Sequence, residues 1–243
     1  MSILPQPFQH FLGQVANAVS CHFLPGSCLL CQATSHGELL CPNCQRDLPL
    51  LDEMRCPRCA SDSAQGLVCI HCHVEPPHFD QTIAVFRYEF PVDRLIKALK
   101  YQHQLVIAPL LGKTLAQHPS LKEANIDQIV ALPLHPERIR ERGFNQSIEI
   151  ARPISQQLGR PILFDAVVRS KATLRQAGLS FKERHANVLG AFECGIDLNG
   201  QHLLLVDDVM TTGATLNECA HVLKLHGAAR VTVAVAARAL LPA

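Results

Sequence analysis

The chain has 243 residues, 48% of them apolar, with a formal net charge of +1 and no tryptophan. This length allows one sizeable core and a small appended module. The near-zero charge excludes a global field that would attract nucleic acid or an anionic membrane, and the apolar runs are too short for a membrane span.

The N-terminal segment, residues 1–24, carries a mildly apolar stretch from Phe8 to Val19. No basic residue precedes this stretch, and several polar residues interrupt it. The pattern therefore predicts a short amphipathic helix rather than a signal peptide.

Eight of the eleven cysteines lie in residues 28–72 as four C-x-x-C pairs, and both halves of this region have the spacing C-x2-C-x9-C-x2-C. Such spacing is typical of thiolate ligands for tetrahedral zinc in a reducing, cytoplasmic compartment. Segments this small bury little apolar surface, so metal binding would supply most of their folding free energy. We predict a double zinc ribbon over residues 25–75 with two structural Zn²⁺ sites, whose ligands are Cys28, Cys31, Cys41, Cys44, Cys56, Cys59, Cys69 and Cys72.

The spacing leaves the pairing of these ligands open. One zinc per repeat is favoured, because the residues between two pairs suffice for a hairpin return, but a cross-braced arrangement has the same spacing. An iron–sulfur cluster is a further alternative, which colour would reveal. A redox dithiol is disfavoured, because no C-x-x-C opens a helix in a thioredoxin-like setting.

After Glu75–Pro77 the pattern becomes that of an α/β domain. Strands are predicted at Gln81–Tyr88 and Ile129–Leu132, with helices from Pro91 and over Ala108–Gln117 between them. The helix from Pro91 has a basic side that either faces phosphates or is merely solvated. Its members are Arg94, Lys97 and Lys100.

The loop after the second of these strands, residues 133–147, has the sequence PLHPERIRERGFNQS. Three alternating arginines precede Gly143 and a helix predicted from Asn145. Cations and free amides between a strand and a helix indicate an anion site. Its candidate residues are Pro133, Arg138, Arg140 and Arg142.

The most informative stretch is LLLVDDVMTTGAT, residues 203–215. Its four apolar residues predict a buried parallel strand, and the T-T-G-A-T turn opens a helix beginning near Leu216. Amides at a helix N-terminus and threonine hydroxyls bind anions, and Gly213 lets the backbone approach closely. Asp207 and Asp208 lie within reach of vicinal ribose hydroxyls, and no lysine lies beside the glycine, so a sugar phosphate is favoured over a nucleoside triphosphate.

This stretch resembles, position by position, the phosphoribosyl diphosphate (PRPP) signature of type I phosphoribosyltransferases. The run P-L-H-P-x-R-x-R-x-R-G-F-N-Q is, more narrowly, typical of the ComF/GntX family, which joins an N-terminal cysteine-rich ribbon to such a fold. The resemblance runs in order from about Cys28 to Leu240. It implies an α/β fold over residues 76–243, a parallel sheet flanked by helices, in which the loop after the second strand holds pyrophosphate. With Mg²⁺, PRPP would be bound by Val209, Met210, Thr211, Thr212, Gly213, Ala214 and Thr215.

The resemblance also implies catalytic roles. Asp207 and Asp208 would hold the ribose hydroxyls, and Asp208 is a candidate general base. The polar, basic segment 169–192 resembles the mobile lid of these transferases, which closes over pyrophosphate. Lys171 and Arg184 are its candidates for charge stabilisation, with an ordinary exposed basic helix as the alternative.

Two classes of function remain open. The first is a PRPP-dependent phosphoribosyltransferase, whose acceptor is unidentified because no C-terminal hood follows the last predicted strand, Val231–Ala237. The second is a non-catalytic accessory factor that binds single-stranded DNA or a DNA-uptake protein, as family membership in competence and DNA utilisation implies. The ribbon has no aromatic residue between Cys28 and Cys72, which favours a protein over single-stranded DNA. A regulator of this fold without turnover lies between the two classes.

Overall fold

The computed structural model describes residues 26–52, 54–171 and 188–240. The chain divides into two compact units between Leu48 and Pro49. The first unit contains one cysteine cluster, and the second contains the other cluster and the main sheet. The predicted N-terminal helix and Arg184 lie outside the described residues, and the predicted domain boundary after residue 75 stays a prediction.

A five-stranded parallel sheet organises the second unit, with the strand order β1-β7-β6-β2-β3. Two short strands, β4 and β5, form a separate antiparallel pair. The strands are β1 (Gln81–Arg87), β2 (Gln128–Ala131), β3 (Ile162–Leu163), β4 (Val167–Arg169), β5 (Phe192–Cys194), β6 (His202–Met210) and β7 (Arg230–Arg238). The parallel sheet with its flanking helices confirms the predicted fold class.

Two short described helices precede β1, and the others lie between the strands. The described helices are α1 (Pro42–Arg46), α2 (Ile70–Val74), α3 (Val92–Gln102), α4 (Ile107–Ala116), α5 (Pro119–Glu123), α6 (Pro136–Arg142), α7 (Gln146–Leu158) and α8 (Ala214–Leu225). Among the residues described, no helix combines the length and apolar character that a bilayer crossing requires.

The core lies on both faces of the two central strands. β6 and β7 are buried along almost their whole length, which explains why their sequences are apolar runs without alternation. α7 packs on β2 and β6, and α8 packs on β6 and β7. α4 packs closely on α7 because Gly112 has no side chain, since a Cβ there would lie 2.3 Å from the Ile150 oxygen.

In the stretch of residues 203–215, the end of the strand and the start of the helix both differ from their predicted positions. β6 extends to Met210, because its pairing with β7 continues to the Met210–Arg238 register. The two acids, predicted at the carboxyl end of the strand, therefore lie within it. The helix begins at Ala214 rather than near Leu216, and the loop between strand and helix is only residues 211–213.

The loop after β2 also differs from its prediction. Its arginines lie on the short helix α6, which begins at Pro136, where the fixed φ of proline favours a first helical turn. His135 precedes it, and its Nδ1 accepts from the Glu137 amide at 3.4 Å. The helix predicted from Asn145 is α7, and the Asn145 side chain caps it by accepting from the Ser147 amide at 2.9 Å.

The strand order creates a crevice between β2 and β6. The chain leaves β2 through α6 and α7 toward β3 on one side, whereas it leaves β6 through α8 toward β7 on the other side. The connections after these two neighbouring strands therefore diverge. In open α/β sheets, this topological switch point at the carboxyl ends of the strands is where ligands bind.

Candidate functional site

The eight cysteines form two clusters, one in each repeat. Within each cluster the four sulfur atoms lie within 4.8 Å of one another. Cys31 and Cys41 are 3.6 Å apart between sulfurs, and so are Cys59 and Cys69. Four sulfurs at about 2.3 Å from a tetrahedral zinc would lie about 3.8 Å apart, so each cluster fits one zinc ion. This geometry confirms the sequential pairing over the cross-braced alternative.

One thiol of the second cluster, that of Cys56, is poised to present a thiolate. The amide of Cys69 donates to the Cys56 sulfur at 3.3 Å. Burial raises the pKa of Cys56, but hydrogen bonds from the backbone of Cys69, Cys59 and Arg58 outweigh burial and lower that pKa to about 7. Zinc binds the thiolate form, so this backbone geometry favours the metal.

We expect two zinc ions per chain by elemental analysis, because each cluster presents a complete set of four thiols. The Cys69→Ser variant should keep one zinc, since its first cluster stays whole. One zinc or none in the wild-type protein would contradict the tandem-site account.

The two acids of β6 each have a polar partner on a neighbouring helix. Asp207 and Asp208 are 8% and 2% exposed. The Ser147 hydroxyl, on α7, donates to Asp207 Oδ1 at 2.8 Å. Lys100 Nζ, on α3, lies 2.5 Å from Asp208 Oδ2, and Gln146 Nε2 donates to Asp208 Oδ1 at 3.5 Å. The pair is therefore buried but held by specific contacts.

These surroundings give the two carboxyl groups different pKa values. Burial, followed by the charge of Asp208, raises the pKa of Asp207 to about 7. Burial acts on Asp208 as well, but the charge of Lys100 outweighs it and lowers the pKa of Asp208. At neutral pH the pair thus combines one fixed negative charge with one carboxyl near its titration midpoint, the separation of pKa values that acid–base sites use.

The turn between β6 and α8 presents backbone donors. Gly213 has a φ of +83°, a left-handed conformation that side chains disfavour. Thr212 Oγ1 accepts from the Ala214 amide at 3.3 Å. The first helical bond runs from the Asn217 amide to the Gly213 oxygen, and the amides that precede such a bond at a helix N-terminus are the groups that can bind an anion.

The arginines of α6 have different surroundings. Arg142 donates to Gln146 Oε1, beside Asp208, and its guanidinium lies 5.8 Å from the centre of the Tyr101 ring. Arg138 lies one helical turn earlier on the same face, whereas Arg140 is exposed. The structure therefore brings Arg142 into the network of the acids and leaves Arg140 in solvent. Pro133 follows β2, where the chain leaves the sheet.

The basic segment 169–192 begins at the end of β4 and contributes a cation that the sequence did not single out. Lys171 is exposed and donates to the Leu189 oxygen at 3.3 Å, away from the acids. Arg169 lies 5.4 Å from the Phe192 ring centre. Burial lowers the pKa of Arg169, and Asp207 is the main charge that opposes this shift. Arg169 is therefore the described cation of this segment that lies near the acid pair.

Ser147, Gln146 and Lys100 are the contacts that sequence reasoning missed or left undecided. Lys97, on the same basic side of α3, is solvated and pairs with Asp93, whereas Lys100 turns inward to Asp208. The sequence did contain a signal that Gln146 and Ser147 lie near the acids. Both follow the capping Asn145 at the start of a helix after β2, and such helix starts lie at the sheet edge that carries the acids.

Comparisons with known proteins agree with this architecture. A double zinc ribbon model matches residues 20–73, and a phosphoribosyl transferase domain model matches residues 145–240. The chain is 34% identical to the DNA utilization protein YhgH of Escherichia coli (strain K12), over 86% of this chain and 96% of that protein. It is 30% identical to Competence protein F of Haemophilus influenzae, over 90% of this chain and 99% of that protein.

A solved purine phosphoribosyltransferase from Pyrococcus horikoshii aligns with 63% of this chain and 75% of its own, at 21% identity and a TM-score of 0.33. The two relatives above are similar along nearly their whole lengths, ribbon and sheet alike. The chain belongs to the ComF/GntX family, in which a double zinc ribbon precedes a phosphoribosyltransferase domain.

Proposed function

We propose that the chain binds PRPP or a related ribose 5-phosphate in the crevice between β2 and β6 and transfers its phosphoribosyl group. The observation that carries this proposal is the position of the buried Asp207–Asp208 pair. It lies at the topological switch point, directly before a short turn and the N-terminus of α8. Carboxylates accept hydrogen bonds from a sugar diol, and the amides at a helix N-terminus bind its phosphate.

The ligand would lie across the two loops that diverge from the switch point. The 5′-phosphate would bind the amides and hydroxyls of residues 211–215, and the ribose hydroxyls would face the acids. The pyrophosphate would lie toward the loop after β2, near Pro133 and the cations Arg138 and Arg142. Arg140, which is exposed, would add only long-range attraction.

Transfer would be a displacement at the anomeric carbon. A bond forms from the acceptor to this carbon while the bond to the pyrophosphate oxygen breaks, and the electron pair leaves with pyrophosphate. The fixed negative charge of Asp208 would stabilise the positive charge that develops on the ribose ring, and Arg142 would stabilise the leaving group. Mg²⁺, an oxygen-seeking cation suited to the diol, the acids and pyrophosphate, would supply further charge neutralisation.

The pKa order of the acids favours Asp207 as the group that takes a proton from the acceptor. A general base works best when its pKa lies near the operating pH, and that of Asp207 is about 7. Asp208, which the sequence suggested for this role, is paired with Lys100. We assign Asp208 to charge stabilisation.

The names of the relatives support a link to DNA uptake or to the use of DNA-derived nucleotides, since they are a DNA utilization protein and a competence protein. The zinc thiolates suit a reducing compartment, and we place this activity in the cytoplasm.

A second candidate function, binding of a protein partner, rests on the surface of the second ribbon. The apolar side chains exposed there are aliphatic, not aromatic. Their exposed fractions are 66% for Met54, 63% for Leu67, 77% for Ile70 and 76% for Val74. Such a surface suits a protein partner better than single-stranded DNA, which binds through stacking on aromatic rings. A salt-dependent shift of a single-stranded oligonucleotide by the full chain would favour DNA instead.

Calorimetric titration with PRPP and Mg²⁺ tests the proposed function. The wild-type protein should bind, and a variant combining Asp207→Asn with Asp208→Asn should lose at least about tenfold in affinity, because charge-assisted hydrogen bonds to the diol are lost. Glu149→Gln is the matched control, because Glu149 lies on α7 in an exposed pair with Arg152. Equal affinity of the double variant and wild type would remove the proposed site.

A further inference from the structure

Arg238, the last residue of β7, is a charged side chain in a buried position. It is 5% exposed, and buried arginines are rare unless their charge and donors are satisfied. The guanidinium donates hydrogen bonds to five acceptors, which are the backbone oxygens of Cys59, Met210, Thr211 and Ala239, and the hydroxyl oxygen of Ser61. One side chain thus joins the second cysteine cluster to the start of residues 211–215, which we call the phosphate loop because they would bind the 5′-phosphate.

On the loop side, Arg238 fixes two consecutive peptide groups. Its Nη1 donates to the Met210 oxygen at 3.1 Å and to the Thr211 oxygen. In a planar trans peptide the carbonyl and the following N–H point in opposite directions. By holding these two oxygens, the guanidinium directs the amides of Thr211 and Thr212 away from itself, on the side where an anion would bind.

On the ribbon side, the same guanidinium and strand β1 hold one C-x-x-C turn. Arg238 Nε donates to the Cys59 oxygen at 2.8 Å. The Thr82 amide donates to the Pro57 oxygen at 3.0 Å, and the Thr82 hydroxyl donates to the Arg58 oxygen. All three acceptors lie in the turn from Cys56 to Cys59, whose two cysteines are ligands of the second cluster. A metal that fixes this turn therefore also fixes the far end of the Arg238 network.

We propose that the second cysteine cluster is a positioning element of the phosphate loop, with Arg238 as the positioning residue that connects them. This inference rests on the proposed function, because it concerns the affinity of that loop for a sugar 5′-phosphate. Arg238 does not touch the ligand. It sets the direction of the amides that do, and metal in the second cluster holds the opposite end of the connection rigid.

A cavity of about 180 Å³ lies along the same junction. Its lining includes Cys59 and Cys72 from the ribbon and Thr212 and Gly213 from the loop. The ribbon and the loop therefore share a common boundary beyond the Arg238 network.

The test compares Arg238→Lys with Arg230→Lys. Lysine keeps the charge but lacks the planar set of donors that holds several carbonyls at once. Arg230 is the matched control, at the opposite end of the same strand, exposed and bonded to Gln81 Oε1 at 3.0 Å. Affinities for ribose 5-phosphate and for pyrophosphate are measured separately, and hydrogen exchange of the amides of residues 211–215 is followed without ligand.

In Arg238→Lys we expect an affinity for ribose 5-phosphate about tenfold lower, an unchanged affinity for pyrophosphate, and faster exchange of the loop amides. Arg230→Lys should match wild type in all three measurements. Cys69→Ser, which disables the second cluster, should reproduce the selective loss, and it provides the test if Arg238→Lys does not fold.

Parallel loss of both ligands would show a merely structural role, and unchanged loop exchange in Arg238→Lys would show no positioning at all. Either result overturns the inference. Failure of the proposed function has a different signature, because wild type itself would then bind neither ligand. In that case the inference would also be wrong, whatever the hydrogen-exchange rate of the loop amides.

Discussion

Asp208→Asn is expected to lower the free energy of unfolding by about 3 kcal/mol, because it removes the carboxylate in contact with the buried Lys100 ammonium, and Asp207 acts on that ammonium less strongly. Lys100 keeps 20% exposure, so the loss lies at the lower end of the range for a broken buried pair. The same change should lower PRPP affinity by at least about tenfold, since the ribose loses a charged acceptor. Urea unfolding of the zinc-loaded protein and calorimetry measure the two effects.

The control combines Asp208→Asn with Lys100→Met. Removing both charges leaves no uncompensated ion, so stability should return to within about 1 kcal/mol of wild type. PRPP affinity should stay low, because the acceptor is still missing. A double variant that remains as unstable as Asp208→Asn would mean that the buried pair is not the cause.

Asp207→Asn is expected to stabilise the ligand-free protein at pH 8 by about 2 kcal/mol. The native pKa of Asp207 is about 7, against an ordinary value of 3.8, so the folded state binds more protons than the unfolded state between these values. Wild-type stability therefore falls as pH rises from about 4 to about 7 through this group. Asparagine does not ionise and avoids this loss, whose upper limit is about 4 kcal/mol for a shift of about three pKa units.

The advantage of Asp207→Asn over wild type should be small near pH 4, grow through pH 7 and level off above pH 8. Thermal unfolding of both proteins across this range measures it, and the comparison at each pH cancels the titration of the zinc ligands. PRPP affinity should fall even as stability rises, because the ionised acceptor of the diol is lost. A constant difference between the two proteins across the whole range would show that Asp207 does not titrate in this window.

The parts of this molecule that depend on local sequence could be predicted. Spacing alone identified the two cysteine clusters, because four thiols must converge on one small ion. The strand, acids and glycine turn of residues 203–215 could be identified because a phosphate loop needs these residue types in consecutive positions. The start of α7 at Asn145 could likewise be predicted from the local sequence.

Contacts between residues distant in sequence could not be predicted in this way. Lys97 and Lys100 lie on one basic side of α3, and only the packing of the helix decides that Lys100 reaches Asp208. Ser147 is 60 positions from Asp207, and Arg238 is 179 positions from Cys59. Nothing in the local pattern marks these residues, because their partners are determined by the order of strands in the sheet.

The C-terminal end of β6 and the helix α6 also differ from the secondary structure that the local sequence predicted. The predicted strand covered the apolar run Leu203–Val206, with the two acids at its carboxyl end. Pairing with β7 continues to Met210, and each carboxylate has a polar partner, so β6 includes both acids and extends beyond them. The arginine run was expected to be a loop, but a proline start and a favourable cap at His135 suffice for two turns of helix.

The proposed function requires that a ribose 5-phosphate binds between the ends of β2 and β6. A crystal structure of the zinc-loaded protein with PRPP and Mg²⁺ would show the position of this ligand. We expect the 5′-phosphate on the amides of residues 211–215 and the ribose hydroxyls within hydrogen-bond distance of Asp207 or Asp208. Ligand bound elsewhere, or no ligand at concentrations that saturate the protein in solution, would rule out this site.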